Sequence, residues 1–185
     1  PRALGHRSLL ANPCFVENIE RMNNIKKREK FRPFAPSVLE ENVADWFDLP
    51  VMPRSKSKQI QGTTKRPVNN ISPYMSITLQ VKEEKQAKVP AITHVDGSAR
   101  LQSVSKLQNA LYHRLIELCE KKSGVPMILN TSFNILRGEP IVESPYGALR
   151  SFLASREQDS IVFGDSKTNW NQKGIDRLIL GPFSI

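Results

Sequence analysis

The sequence predicts an α/β domain, an open mixed sheet with flanking helices. Three observations carry that expectation. The short apolar run at 125–130, opened by Val125 and Pro126, reads as a buried strand. Residues 74–81 alternate, with Met75, Ile77, Leu79 and Val81 against Ser76, Thr78 and Gln80, the period of a strand with one buried face. Residues 107–121 place Leu107, Leu111, Leu115 and Leu118 on one stripe, with Gly124 as the stop, which predicts a helix packed by its leucines. Helical and strand segments interleave along the chain, the order of a mixed sheet.

The remaining elements follow in order. Val16, Ile19 and Met22 share a face of a short helix at 16–26, with Asn12 or Asn18 as a nearby cap. Pro33 and Pro36 favour an extended path into a strand at 38–39, and 40–47 predicts another short helix. Residues 54–67 hold five cations, no acid and little apolar content, the composition of a mobile surface loop. A charged connection is expected at 82–88. Short strands are expected at 91–95 and 101–104, reversing at Gly97. Ser144 and Pro145 fit the N-cap and first position of a helix that buries Leu149, Phe152 and Leu153. Strands are expected at 161–163 and 177–180.

Composition narrows the functional classes. The 185 residues suffice for one domain with a sizeable core, and 39% apolar with 24% charged residues fits a folded chain. No apolar run approaches the roughly 20 residues that span a bilayer. Cys14 and Cys119 have neither zinc-site nor disulfide-framework spacing, which suits a reducing, cytoplasmic setting. His6, His94 and His113 have no metal-ligand spacing, so no metal site is expected in this chain. The formal charge of +9 favours anionic partners: nucleic acid, an acidic membrane surface or a nucleotide. The chain starts with Pro, inside a motif, and is expected to be a piece of a longer protein.

Cation placement sharpens that choice. Lys26, Arg28 and Arg32 fall on one face if their stretch is extended, whereas Lys27, Glu29 and Phe31 take the other. Two guanidinium forks and an ammonium converging there form an anion site, with Arg gripping phosphate bidentately. The same residues would also suit a solvated helix end. Arg100 follows Asp96, Gly97, Ser98 and Ala99, whose small side chains let backbone approach a ligand; Asp96 with Gly97 also reads as a turn, and His94 as a core histidine. The strand at 125–130 breaks into Asn130, Thr131, Ser132 and Asn134, then Arg137, a set rich in hydrogen-bonding groups and also in ordinary loop residues.

Four segments occur in an order that resembles one family: 1–8 (PRALGHRS), 26–37 (KKREKFRPFAPS), 93–100 (THVDGSAR) and 130–140 (NTSFNILRGEP). The chain resembles the C-terminal region of the O-carbamoyltransferases of nodulation-factor and antibiotic biosynthesis, from residue 1 to about Asp165. The resemblance implies an open, twisted YrdC-like α/β fold. It implies use of carbamoyl phosphate and ATP, with Mg²⁺, to make carbamoyladenylate. It further implies a separate N-terminal domain of actin-like fold that carries a metal and passes the carbamoyl group to a hydroxyl. Lys26-Lys27-Arg28 matches the family's Lys-x-Arg, and Ser132-Phe133-Asn134 its Ser-x-Asn.

Lys26, Arg32 and Arg100 are thereby expected to be catalytic. Arg28, His94, Asp96, Ser98 and Arg137 are expected to bind substrate, and Asn130, Thr131, Ser132 and Asn134 the nucleotide. Two residues, Ile135 and Leu136, separate Asn134 from Arg137 where the family pattern has one, which leaves the role of Arg137 open. Asp96 and Glu139 are the carboxylates nearest the motifs for Mg²⁺. Residues 1–12 are expected to be a tail of the N-terminal domain or a linker, and 13–185 the C-terminal domain. The acceptor, expected on the N-terminal domain, cannot be read. The competing reading is a basic RNA-binding module; aromatic residues make up only 7% and no RNA-binding signature is present. A third reading is a structural domain that docks the rest of its parent.

Overall fold

A computed structural model of the chain describes residues 3–49, 71–135, 139–157, 174–181 and 183–184. The expected loop at 54–67, the expected strand at 161–163 and Arg137 lie outside these residues.

Five strands form one sheet. They are β1 (Ser8–Ala11), β2 (Ala35–Leu39), β3 (Ile77–Gln80), β4 (Ser98–Val104) and β5 (Met127–Ser132), in the order β1-β5-β2-β4-β3. Only β2 and β4 run parallel; every other pair is antiparallel. The sheet is mixed and open, consistent with the YrdC-like fold that the resemblance implies. Residues 8–11, within the segment expected as a tail or linker, supply the edge strand β1, with Leu9 in the core. The central strand β2 contains Pro36, normally excluded from such a position. Its ladder to β4 starts at Ser37, so the missing Pro36 N–H falls at the end of that ladder.

One face of the sheet carries the main core. Val38, Leu101, Met127 and Leu129 are fully buried there, with Met22 and Ile25 from α1 (Glu17–Lys26) and Phe152 from α5 (Pro145–Glu157). The expected Ser144 cap forms, its Oγ accepting from the Gly147 N–H at 3.1 Å. Leu153, expected in the core, is 50% exposed. At α1 the expected asparagine caps do not act on the helix: Asn12 accepts from the Cys14 N–H and Asn18 donates to the Asn12 carbonyl.

The short helix expected at 40–47 is a 3₁₀ turn (Glu40–Asn42) followed by α2 (Val43–Trp46), and the charged connection at 82–88 contains a one-turn helix, α3 (Glu83–Gln86). Residues 91–95 do not form the expected strand. The Ile92 N–H and the Thr93 hydroxyl both donate to the Val89 carbonyl, which folds the segment into turns. The reversal at Gly97 does form, closed by the Gly97 N–H on the His94 carbonyl at 2.9 Å. Two short strands, β6 (Ile179–Leu180) and β7 (Phe183–Ser184), pair with each other.

The second face is covered by α4 (Ala110–Ser123), and the leucine stripe is not what covers it. Tyr112 and Ile116 pack on Leu39, Val104 and Ile128, whereas Leu111 is 85% and Leu107 98% exposed. Residues with polar atoms take the buried side because each finds a partner. The Tyr112 hydroxyl meets Asn130, and His113 Nε2 lies 2.9 Å from Glu41 Oε1. Those contacts offset the cost of burying the two rings, and His113 Nδ1 is left buried without a hydrogen-bond partner among the described residues.

Candidate active site

The site lies on the α4 face of the sheet, beyond the reach of the helix. Strand alternation defines that face, since Ser37, Gln102 and Asn130 meet there in one network with Tyr112. Arg100 shares its parity with Gln102, Ala35 with Ser37, and Thr78 stands opposite Arg100. Here Arg28, Arg32 and Arg100 line one cavity of about 450 Å³, together with Phe34, Ala35, Thr78 and His94.

Three guanidinium groups from residues 72 positions apart in sequence thus converge, but not by the expected alternation. Residues 26–32 are not extended. Lys26 ends α1, Lys27 turns the chain in a left-handed conformation (φ 46°), and the Arg32 N–H donates to the Glu29 carbonyl at 3.3 Å. Each cation is held differently. Arg28 is braced: its Nε donates to Asn23 Oδ1 at 3.1 Å, Nη2 to the Arg32 carbonyl at 2.8 Å, and its fork lies 4.0 Å over the Phe34 ring. Burial, then the charges of Arg32 and Arg100, push its pKa below the ordinary value, against an opposing effect of Glu29. Repulsion of this kind favours a bound anion. Arg32 has only an exposed pairing with Glu29, at 3.2 Å. Arg100 has no ion-pair partner among the described residues.

Lys26 stands apart from this lining. Its ammonium reaches the Ser132 carbonyl at 2.6 Å, Asn134 Oδ1 at 2.8 Å, the Asn134 carbonyl at 3.2 Å and Ser132 Oγ at 3.3 Å. Ser132 Oγ in turn donates to Asn134 Oδ1 at 2.7 Å. Lys26 therefore clamps the Ser-x-Asn turn against the end of α1. Burial, then the nearby Arg28 charge, pushes its pKa down to about 8.

The other expected residues separate. His94 lines the cavity, its Nδ1 3.1 Å from Ser98 Oγ and its buried Nε2 without a hydrogen-bond partner. Burial lowers its pKa, opposed by Asp96. Asp96 serves a turn, accepting from the Ser98 N–H at 3.0 Å and hydroxyl at 2.7 Å, bonds that hold its carboxyl below the ordinary value. Asn130 is buried: its amide donates to Ser37 Oγ, Gln102 Oε1 and the Tyr112 hydroxyl at 2.8, 3.2 and 3.0 Å. Gln102 is anchored in turn on the Leu4 carbonyl at 3.3 Å. Gly5 must be glycine here, because its φ is +95° and a Cβ would sit 2.5 Å from the Tyr112 ring. Thr131 pairs with Leu9, and alternation sends it to the other face of the sheet from Asn130 and Ser132.

Sequence reasoning did not single out Thr78, Phe34 or Gln102. The first two line the cavity, and Gln102 accepts from Asn130 and Ser37 in the buried network on the same face of the sheet. Only the pairing of β3 with β4 brings Thr78 to Arg100, and nothing local signals that register. No cluster of three His, Cys, Asp or Glu side chains able to hold a metal occurs among the described residues. Asp96 is engaged with Ser98, and Glu139 pairs with Arg150 at 3.3 Å. These residues do not fit a protein-held Mg²⁺. No helix among the described residues is long and apolar enough to cross a membrane.

The chain is thus an α/β domain with an open mixed sheet, a cavity lined by three arginines and a lysine-clamped Ser-x-Asn turn. Residues 1–169 match the family described as "Carbamoyltransferase C-terminus", and the chain belongs to that family. It is 44% identical to the nodulation protein NolO of Bradyrhizobium diazoefficiens over 165 residues, which cover 89% of this chain and 27% of that protein. It is 45% identical to the nodulation protein NolNO of Sinorhizobium fredii, over 89% of this chain and 22% of that protein. An uncharacterized protein of Methanocaldococcus jannaschii is 36% identical over 89% of this chain and 28% of its own length. The chain thus spans about a quarter of the length of these relatives.

Proposed function

We propose that this chain is the nucleotide-activating, C-terminal domain of an O-carbamoyltransferase. Carbamoyl phosphate and ATP bind at the arginine cavity and yield carbamoyladenylate. Water splits carbamoyl phosphate into carbamate and phosphate. A carbamate oxygen then attacks the α-phosphorus of ATP, the bond to the β-phosphate breaks, and pyrophosphate leaves. Negative charge develops on the equatorial and leaving oxygens, and fixed guanidinium groups stabilise it without reorganisation. No nucleophilic side chain is needed. Arg28 is braced in place, Arg32 and Arg100 are free to grip phosphate oxygens, and Lys26 holds Ser132 and Asn134 for the nucleotide. Mg²⁺ would arrive coordinated to the ATP phosphates, as part of the substrate. An N-terminal domain of actin-like fold, with its own metal, would carry out transfer to a hydroxyl acceptor. Residues 1–12 would be the connection to it, ending in β1 within the sheet.

The convergence of Arg28, Arg32 and Arg100 on one cavity carries this reading. It is tested by incubating the protein that carries this domain with ATP and carbamoyl phosphate. Pyrophosphate release that requires carbamoyl phosphate, with carbamoyladenylate recovered, is the expected result. Release that is indifferent to carbamoyl phosphate would overturn it.

A further inference from the structure

Helix α4 is apolar on two sides. Tyr112 and Ile116 face the sheet, whereas Leu111, Leu115 and Leu118, at i, i+4 and i+7, form a second stripe on the outer side. Leu107, just before the helix, is exposed as well, and none of the four leucines joins a core cluster. A soluble helix needs one apolar face; a second one, left in water, forfeits burial that another surface would restore. Cations border this stripe. Arg114 lies at i+3 from Leu111, and Lys121 and Lys122 at i+3 and i+4 from Leu118, the spacings of neighbours on a helix surface. All three are exposed, and the two acids of the helix, Glu117 and Glu120, are half-buried. Glu117 takes up Arg114, Nη1 to Oε2 at 2.8 Å, but neither Lys121 nor Lys122 has an ion-pair partner among the described residues.

We propose that the outer face of α4 docks on a bilayer surface that carries acidic phospholipids. The helix lies in the plane of the interface without crossing it: the leucines enter the acyl boundary, and Lys121 and Lys122 meet lipid phosphates beside them. Charge complementarity selects this occupant. An acidic bilayer offers an apolar phase and anions in one surface, the two things that the stripe and its rim lack. A second copy of the chain fits less well, because pairing two such faces sets one cationic rim against another. Nucleic acid would satisfy the lysines and leave the leucines in water. The face is separate from the arginine cavity, whose lining contains no residue of α4.

The test is flotation of the protein that carries this domain with two kinds of vesicle, phosphatidylcholine alone and an equal mixture of phosphatidylcholine and phosphatidylglycerol. Binding to the acidic vesicles is expected to exceed binding to the neutral ones by about tenfold or more, and to weaken as salt is added. Leu111→Gln, which removes apolar surface and leaves charge alone, is expected to lower acidic-vesicle binding by about tenfold or more. The double variant Lys121→Gln, Lys122→Gln is expected to do the same from the electrostatic side. All three side chains are exposed, and an unchanged denaturant midpoint verifies folding. No binding to either vesicle, or equal binding to both, would overturn the inference. So would binding to acidic vesicles that survives Leu111→Gln, which would mean adsorption of a basic surface without insertion. A dimer in light scattering that Leu111→Gln dissociates would give the face to a second copy and likewise overturn it.

Discussion

The Lys26 ammonium lies 2.8 Å from the Asn134 side-chain oxygen, joining the end of α1 to the turn after β5 across 108 residues. This contact makes Lys26 a clamp on the Ser132–Asn134 turn rather than one of the cations lining the arginine cavity.

The clamp titrates. Lys26 gives up its proton at about pH 8 instead of the ordinary lysine value of 10.5, because burial and then Arg28 disfavour its charge. Carbamoyl-phosphate-dependent pyrophosphate release should therefore fall as pH rises through about 8, as the ammonium loses a donor to Ser132 and Asn134. Stability has the opposite sign. The folded chain binds this proton less tightly than the unfolded chain, so the lysine's destabilising contribution is present below about pH 8 and is relieved between about 8 and 10.5. A pH–rate profile of Lys26→Arg, which does not titrate in this range, should lack the inflection. An unchanged inflection would assign it to another group.

Helix α4 offers a test of the fold. Leu111→Lys should change stability by less than about 0.5 kcal/mol, since Leu111 stands in solvent. Ile116→Ala, on the face against the sheet, should cost about 2–5 kcal/mol. Denaturant unfolding of both variants checks the pair, and the reverse order would restore the leucine stripe to the core.

The buried network under the site should be similarly exacting. Asn130→Ala leaves Ser37, Gln102 and the Tyr112 hydroxyl without a shared donor, and should cost about 1–3 kcal/mol of stability. Loss of activity without loss of stability would mean that Asn130 meets the nucleotide directly.

Much of the site was legible because its residue types are local signals. Arg28 and Arg32 stand in a dense cation run, and Ser132 with Asn134 follows a clear strand. What could not be read is register and partnership. Thr78 reaches Arg100 only through the β3–β4 ladder. The strand expected at 91–95 became turns because nearby carbonyls capture its donors. The leucine stripe misled because periodicity shows that a helix has an apolar face, and does not show that Tyr112 and His113 find Asn130 and Glu41 as partners on another. Lys26 was expected among the cavity cations, and only the packing of α1 against the end of β5 turns it to Ser132.

The most direct test of the arginine cavity is a comparison of Arg32→Lys with Lys27→Ala, by carbamoyl-phosphate-dependent pyrophosphate release from ATP. Arg32 lines the cavity with its fork largely unengaged, and Lys27 is exposed at the left-handed end of α1. Arg32→Lys keeps the charge and loses the bidentate grip, so the rate should fall roughly a hundredfold, corresponding to about 2–4 kcal/mol in the transition state. Lys27→Ala should retain most of the activity. Equal losses in the two variants would indicate a diffuse basic surface and contradict a built site for carbamoyl phosphate and ATP.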